Sequence, residues 1–202
     1  MIVLRADFLK SAAERAGWPE PGPPEVAFCG RSNVGKSSAL NALAQNKHLA
    51  RVSKTPGRTR LLNFFELTLA DDRRKREEKV RLVDLPGYGF ASGPRQERAG
   101  WRAMIETYLT KREALRAFVV LVDGEIGPQP NDVEMVRWLD SLGNKPLLVA
   151  TKIDRLSRTR RGPALDKAAK ALGVPEVLPF SARERIGVED LWRRLLSELQ
   201  RP

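Results

Sequence analysis

Residues 25–41, EVAFCGRSNVGKSSALN, leave this chain few folds to choose from, because they set a phosphate-binding loop between an apolar strand and the start of a helix. Gly30-Arg31-Ser32-Asn33-Val34-Gly35-Lys36-Ser37 is a complete G-x-x-x-x-G-K-[ST] match, and Ser38 follows it. Glycine at both ends frees the backbone to turn several N–H groups inward onto a pyrophosphate. The helix N-terminus behind the loop adds partial positive charge. Lys36 is placed to reach β and γ phosphates, and the Ser37 hydroxyl to ligate the Mg²⁺ that accompanies a nucleoside triphosphate. A glycine-rich turn matching by accident would lack the flanks found here. A buried-strand run, Val26 to Cys29, precedes the loop, and a helical apolar stripe, Ala39, Leu40 and Leu43, follows it.

The 202 residues suffice for one well-buried domain and not for two of ordinary size. No apolar run is long enough to span a membrane. The N-terminal MIVLRADFLKSAAERAG lacks the basic start, apolar core and cleavage site of an export signal, so a cytoplasmic location is expected. The lone Cys29 excludes an internal disulfide and, at a strand end, reads as a small core residue rather than a nucleophile. Net charge is +11, from 25 Arg and 11 Lys against 25 acids. Nucleotide phosphates need only a few cations, so most of the excess points to a polyanionic partner such as RNA.

Residues 1–24 read as an extension: a short amphipathic segment to residue 18, then a stiff linker containing Pro19, Pro21, Gly22, Pro23 and Pro24. Residues 25–202 form the main domain. There, strands at 26–29, 61–69, 80–83, 117–122, 146–150 and 177–180 alternate with helices at 38–45, 96–114, 131–142, 163–172 and 187–200. The expected architecture is α/β, a three-layer P-loop NTPase (G domain) fold. Its central sheet is mostly parallel, of about six strands with one antiparallel, and carries helices on both faces. Stretches 46–60 and 88–96 read as long flexible loops, DDRRKREEK as a hairpin tip, and Arg155, Arg158, Arg160 and Arg161 as a basic loop able to meet phosphates. Trp18, Trp101, Trp138 and Trp192 read as core, and His48 as a solvated loop residue.

Each further motif follows a strand, where ligands of such sheets bind. Asp84-Leu85-Pro86-Gly87 offers a carboxylate to hold Mg²⁺ through water and a Gly87 N–H to meet a γ-phosphate and sense its loss. Thr151-Lys152-Ile153-Asp154 places an acid where it accepts from both the N1–H and 2-amino group of guanine. Adenine lacks that pattern and would leave the acceptor unpaired. The Lys152 stem can lie across the purine, and Phe180-Ser181-Ala182 brings the Ala182 N–H toward guanine O6. Together these motifs specify GTP and GDP as ligands.

The strings PEVAFCGRSNVGKSSALNAL, TPGRTR, LVDLPGYGFA and VATKIDRLSR, with the helix bearing Trp101 and Tyr108, resemble the EngB (YihA/YsxC) family of bacterial ribosome-biogenesis GTPases over essentially residues 3–199. The resemblance implies GTP hydrolysis, a role in late assembly of the large ribosomal subunit through its RNA and proteins, and a requirement in cell division and septation. It implies that Thr59 of T-P-G-R-T completes Mg²⁺ coordination, with Thr55 the alternative, among nucleotide contacts from Gly57, Arg58, Arg60 and Leu61. Lys36, Asn33, Thr59 and Gly87 are then the residues acting on the transferred phosphate, and Ser37, Thr59 and Asp84 the metal ligands.

Two departures from the general GTPase pattern matter. T-K-x-D replaces N-K-x-D, removing an amide that brackets the base, and Tyr88 stands where Ras-like enzymes orient the attacking water with glutamine. Asn33 is the candidate for holding K⁺ near the phosphates as an arginine substitute. With no dimerisation feature in view, a monomer is expected. A metabolite kinase would need an acceptor pocket and lid, for which there is no cue, and would leave Asp154 without a purpose. A non-hydrolysing adaptor of the division machinery is the other rival.

Overall fold

A computed structural model of the chain describes residues 2–50, 61–70, 77–88 and 95–200. Seven strands form one sheet: β1 (Ile2–Ala12), β2 (Glu25–Gly30), β3 (Leu62–Ala70), β4 (Glu77–Asp84), β5 (Leu115–Asp123), β6 (Leu147–Thr151) and β7 (Leu178–Pro179). Their order is β1-β3-β4-β2-β5-β6-β7. β3 pairs antiparallel with both β1 and β4, whereas β4, β2, β5, β6 and β7 are mutually parallel, so β3 alone runs against the rest. The sheet has one strand more than the six or so expected, because the N-terminal amphipathic segment is itself an edge strand.

Among the described residues five α-helices cover the sheet: α1 (Lys36–Leu43), α2 (Arg95–Lys111), α3 (Pro130–Ser141), α4 (Arg158–Leu172) and α5 (Val188–Leu199). Alternation along the buried strands sorts side chains between two cores. Val26 and Phe28 of β2 join Leu40 and Leu43 of α1 and Leu191, Trp192 and Leu195 of α5 on one face. Ala27 and Cys29 point the other way, to Ile105 and Tyr108 of α2, Leu139 of α3 and Leu172 of α4. Because both faces are covered, the central strands read as unbroken apolar runs. Arg158, Arg160 and Arg161 belong to the first turn of α4 rather than to a loop.

The Pro-rich segment is fastened to the domain. Arg112 Nη1 donates to Pro19 O at 3.0 Å and Arg81 Nη1 to Glu20 O at 2.9 Å. Both arginines also reach Glu25, which is fully buried at the start of β2.

Candidate nucleotide-binding site

The chain reverses direction across the sheet between β2 and β5, and the crevice at the carboxyl ends of strands around such a switch is where ligands bind. β2 runs directly into the phosphate loop. Gly35 ends that loop at φ 98°, a conformation that strains any residue with a Cβ, and α1 begins at Lys36. Asn33 also takes a positive φ, 63°, which asparagine tolerates better than most residues, and its side chain is exposed. A Cβ on Gly30 would lie 2.7 Å from Val34 Cγ1 and 3.0 Å from Leu121 O, so the loop packs tightly on β5. Val34 is buried, and its carbonyl accepts from the Thr151 hydroxyl at 2.5 Å; Val122 O lies 3.0 Å from the same hydroxyl. The threonine of T-K-x-D thus braces the phosphate loop.

At the phosphate end, Lys36 Nζ and Asp84 Oδ1 form an ion pair. Gly87 lies against the loop backbone: a Cβ there would sit 2.9 Å from Gly30 O and 3.5 Å from Ser32 N. The D-x-x-G segment and the phosphate loop therefore line one small space. Among the described residues no three His, Cys, Asp or Glu side chains gather as a self-sufficient metal cage. A hydroxyl at Ser37 and a carboxylate at Asp84 nevertheless fit Mg²⁺, a hard ion that takes few protein ligands and completes its shell with water and phosphate oxygens.

At the base end, Lys152 adopts φ 55° and its ammonium is held by Asp123 Oδ2 at 2.6 Å, which fixes the direction of the aliphatic stem. Asp123 closes β5, and its other oxygen accepts from the Glu125 N–H at 2.9 Å. Gly124 follows because a Cβ there would lie 2.6 Å from Thr151 O. The Asp154 carboxylate is half-buried and has no hydrogen-bond or ion-pair partner among the described residues. Ile153 N–H donates to Phe180 O at 3.2 Å, which joins T-K-x-D to the Phe180-Ser181-Ala182 loop. Ser181 is buried, donates its N–H to Ile186 O at 2.9 Å and accepts from the Glu184 N–H at 3.0 Å.

Gly57, Arg58, Thr59 and Arg60, and the alternative Thr55, lie outside the described residues; Leu61 is exposed beside the start of β3. Arg31 turns its guanidinium to Asp132, with Nε 3.1 Å from Oδ1. Tyr88 is buried and donates to Asp132 Oδ1 at 2.7 Å; burial raises its phenol far above the ordinary value. Burial does the same to the Cys29 thiol, in keeping with a core residue. Asp123 and Asp132 escaped the motif reading. The first could have been found as an acid ending an apolar strand with a glycine directly after it, a closer spacing than the D-x-x-G read at Asp84. Nothing local marked the second.

The chain matches the family model described as 50S ribosome-binding GTPase over residues 25–152. It is 49% identical over 96% of its length to a probable GTP-binding protein EngB of Anaeromyxobacter sp., covering 91% of that protein. It belongs to the EngB family of GTP-binding proteins. An EngB relative from Myxococcus xanthus is 47% identical, with 96% of this chain and 94% of that protein aligned. The crystal structure of a probable GTP-binding protein engB superposes with TM-score 0.63 at 24% identity, covering 87% of this chain and 98% of that one. An Era variant from Aquifex aeolicus bound to GDP and AlF4⁻ superposes with TM-score 0.70 at 24% identity, over 88% of this chain and 57% of that one. These two superpositions establish the P-loop GTPase fold. No described helix of this EngB chain is long and apolar enough to cross a membrane.

Proposed function

We propose that this chain is a GTP/GDP switch that hydrolyses GTP slowly, assists late assembly of the large ribosomal subunit, and is required for normal cell division and septation. The observation carrying the nucleotide half is one rim that has the Lys36–Asp84 pair and Gly87 at one end and, at the other, the Asp154 carboxylate, which has no hydrogen-bond or ion-pair partner among the described residues. Lys36 moves from Asp84 to the β and γ phosphates. Ser37 and Asp84 would then hold Mg²⁺ together with Thr59, whose part rests on the resemblance alone. A Mg²⁺ held there would supply positive charge to offset that of the β and γ phosphates. Gly87 meets the γ-phosphate, and Asp154 and the Ala182 N–H read guanine. Asn33, exposed on the loop, is the K⁺ candidate, which equal turnover in KCl and NaCl would eliminate. The slow rate follows from Tyr88, which is buried and donates its hydroxyl to Asp132, standing where Ras-like enzymes use glutamine to orient the attacking water.

The ribosomal half is supported by the matched family's description and by the net charge of +11. The test is co-sedimentation with separated ribosomal subunits, with a non-hydrolysable GTP analogue or GDP, at low and high salt. Salt-resistant binding to large subunits only with the analogue is expected. Binding that ignores nucleotide and vanishes with salt would reduce the charge to nonspecific attraction. The buried Tyr88 also favours one second reading, an adaptor of the division machinery in which hydrolysis is incidental. Single-turnover hydrolysis that large subunits fail to accelerate would select it.

A further inference from the structure

Asp132 is the hub of a buried network that the nucleotide motifs do not account for. It lies in the first turn of α3, fully buried, where Oδ2 caps the helix by accepting from the Gln129 N–H at 2.7 Å. A cap needs only one oxygen. Tyr88 donates to Oδ1 at 2.7 Å, and Arg31 Nε sits 3.1 Å and 3.2 Å from the two oxygens. Arg31 is the second residue of the phosphate loop and Tyr88 the first after D-x-x-G, so one carboxylate ties together the two loops that would hold the γ-phosphate.

The segment between them has little freedom. On one side of Gly87, Pro86 O accepts from Trp101 Nε1 at 2.9 Å; on the other, Tyr88 is fixed to Asp132 and meets the Trp101 ring edge-on, at 6.4 Å between centroids. Gly87 itself packs on Gly30 and Ser32. A displacement of Gly87 must therefore pull on Tyr88, and through Asp132 on Arg31.

We propose that Asp132 is a positioning residue that couples the phosphate loop to the D-x-x-G segment, so that the γ-phosphate is sensed by both together. The tyrosine after D-x-x-G then serves as a tether instead of orienting water. This rests on the reading that the site binds GTP.

Two substitutions separate the coupling from the cap: Tyr88→Phe removes one hydroxyl, and Arg31→Lys removes the planar donor. Affinities for a non-hydrolysable GTP analogue and for GDP are measured by fluorescence titration, and the folded state is checked by thermal melting. Each variant is expected to lower the analogue-to-GDP affinity ratio by about fivefold or more, the lower range of allosteric couplings, with Tyr88→Phe leaving GDP affinity within about twofold. The double variant should lose less than the product of the single losses, because both act through one carboxylate. Asp132→Asn, where it folds, should move the ratio the same way. Unchanged ratios in both single variants, with only melting affected, would overturn the coupling and leave Asp132 a helix cap. A native chain that bound neither nucleotide would instead sink the GTP reading, and the coupling with it.

Discussion

Replacing Glu25 by alanine tests whether the N-terminal extension is fastened by a buried ion cluster. Glu25 is fully buried, and its carboxylate accepts from Tyr108 Oη at 2.7 Å, from Arg112 through both oxygens, and faces Arg81 Nη1 at 3.5 Å. Trp18 and Phe64 lie against the Arg112 guanidinium, at 5.7 Å and 5.8 Å from their ring centroids, so water cannot readily take the carboxylate's place. Removing one side of a buried pair costs about 3–5 kcal/mol, because the remaining charge is left uncompensated. Here the arginines keep other partners: Arg112 retains Pro19 O, and Arg81 retains Glu66 and Glu20 O. The loss therefore belongs at the low end, about 3 kcal/mol, which lowers Tm by about 6–12 °C for a domain of this size. The assay is urea and thermal unfolding followed by circular dichroism, beside Glu134→Ala as a control. Glu134 pairs with Arg102 on the surface, both half exposed, and such pairs are worth about 0–1 kcal/mol. Equal destabilisation by the two substitutions would refute the argument.

Gly87→Ala should weaken binding of a GTP analogue by about tenfold, equal to 1.4 kcal/mol, because the new Cβ would lie 2.9 Å from Gly30 O and only backbone can yield. Titration showing native affinity would remove the close approach from the mechanism. Asp154→Asn should cost about 2–3 kcal/mol of GTP affinity, roughly 30- to 150-fold, and improve binding of xanthosine triphosphate, whose 2-oxo group suits an amide donor. Competition assays that leave the guanine preference intact would exclude Asp154 as its reader. Both tyrosines, Tyr88 and Tyr108, have phenols raised by burial. The native state then keeps protons that the unfolded chain releases above about pH 10, so stability should fall with rising pH there. Spectrophotometric titration should find no tyrosinate until unfolding; ionisation at an ordinary phenol pKa in the native protein would contradict the packing. Cys29, fully buried with a raised thiol pKa, should resist iodoacetamide until the protein unfolds. Rapid native labelling would contradict its place in the core.

Most of the fold was legible because phosphate binding imposes local rules. The loop 30–37 demands a strand before it and a helix after it, and the unbroken apolar runs at 117–122 and 146–150 signal strands covered on both faces. Asp84, Thr151 and Ser181 each follow a run read as a strand, so the order of motifs along the chain placed them along one edge of the sheet. The strand at Ile2–Ala12 was harder to read, since only its pairing with β3 supplies the partner that makes it a strand. Arg158, Arg160 and Arg161 resemble a polar loop by composition, yet they lie in a helix whose buried contacts, Ala168 and Leu172, come later in the chain.

The sequence by itself pointed to a nucleotide-phosphate site on a mostly parallel sheet and to a guanine reader beside it, because each proposed contact belongs to a short motif whose geometry is set by its own backbone. What the tertiary structure decided is which side chains those motifs leave for other work. Arg31 and Tyr88, 57 residues apart in the sequence, meet only at Asp132, and Lys152 finds Asp123 across neighbouring strand ends. Partners this far apart leave no trace in spacing or periodicity, since what joins them is the order of strands in the sheet rather than the order of residues in the chain.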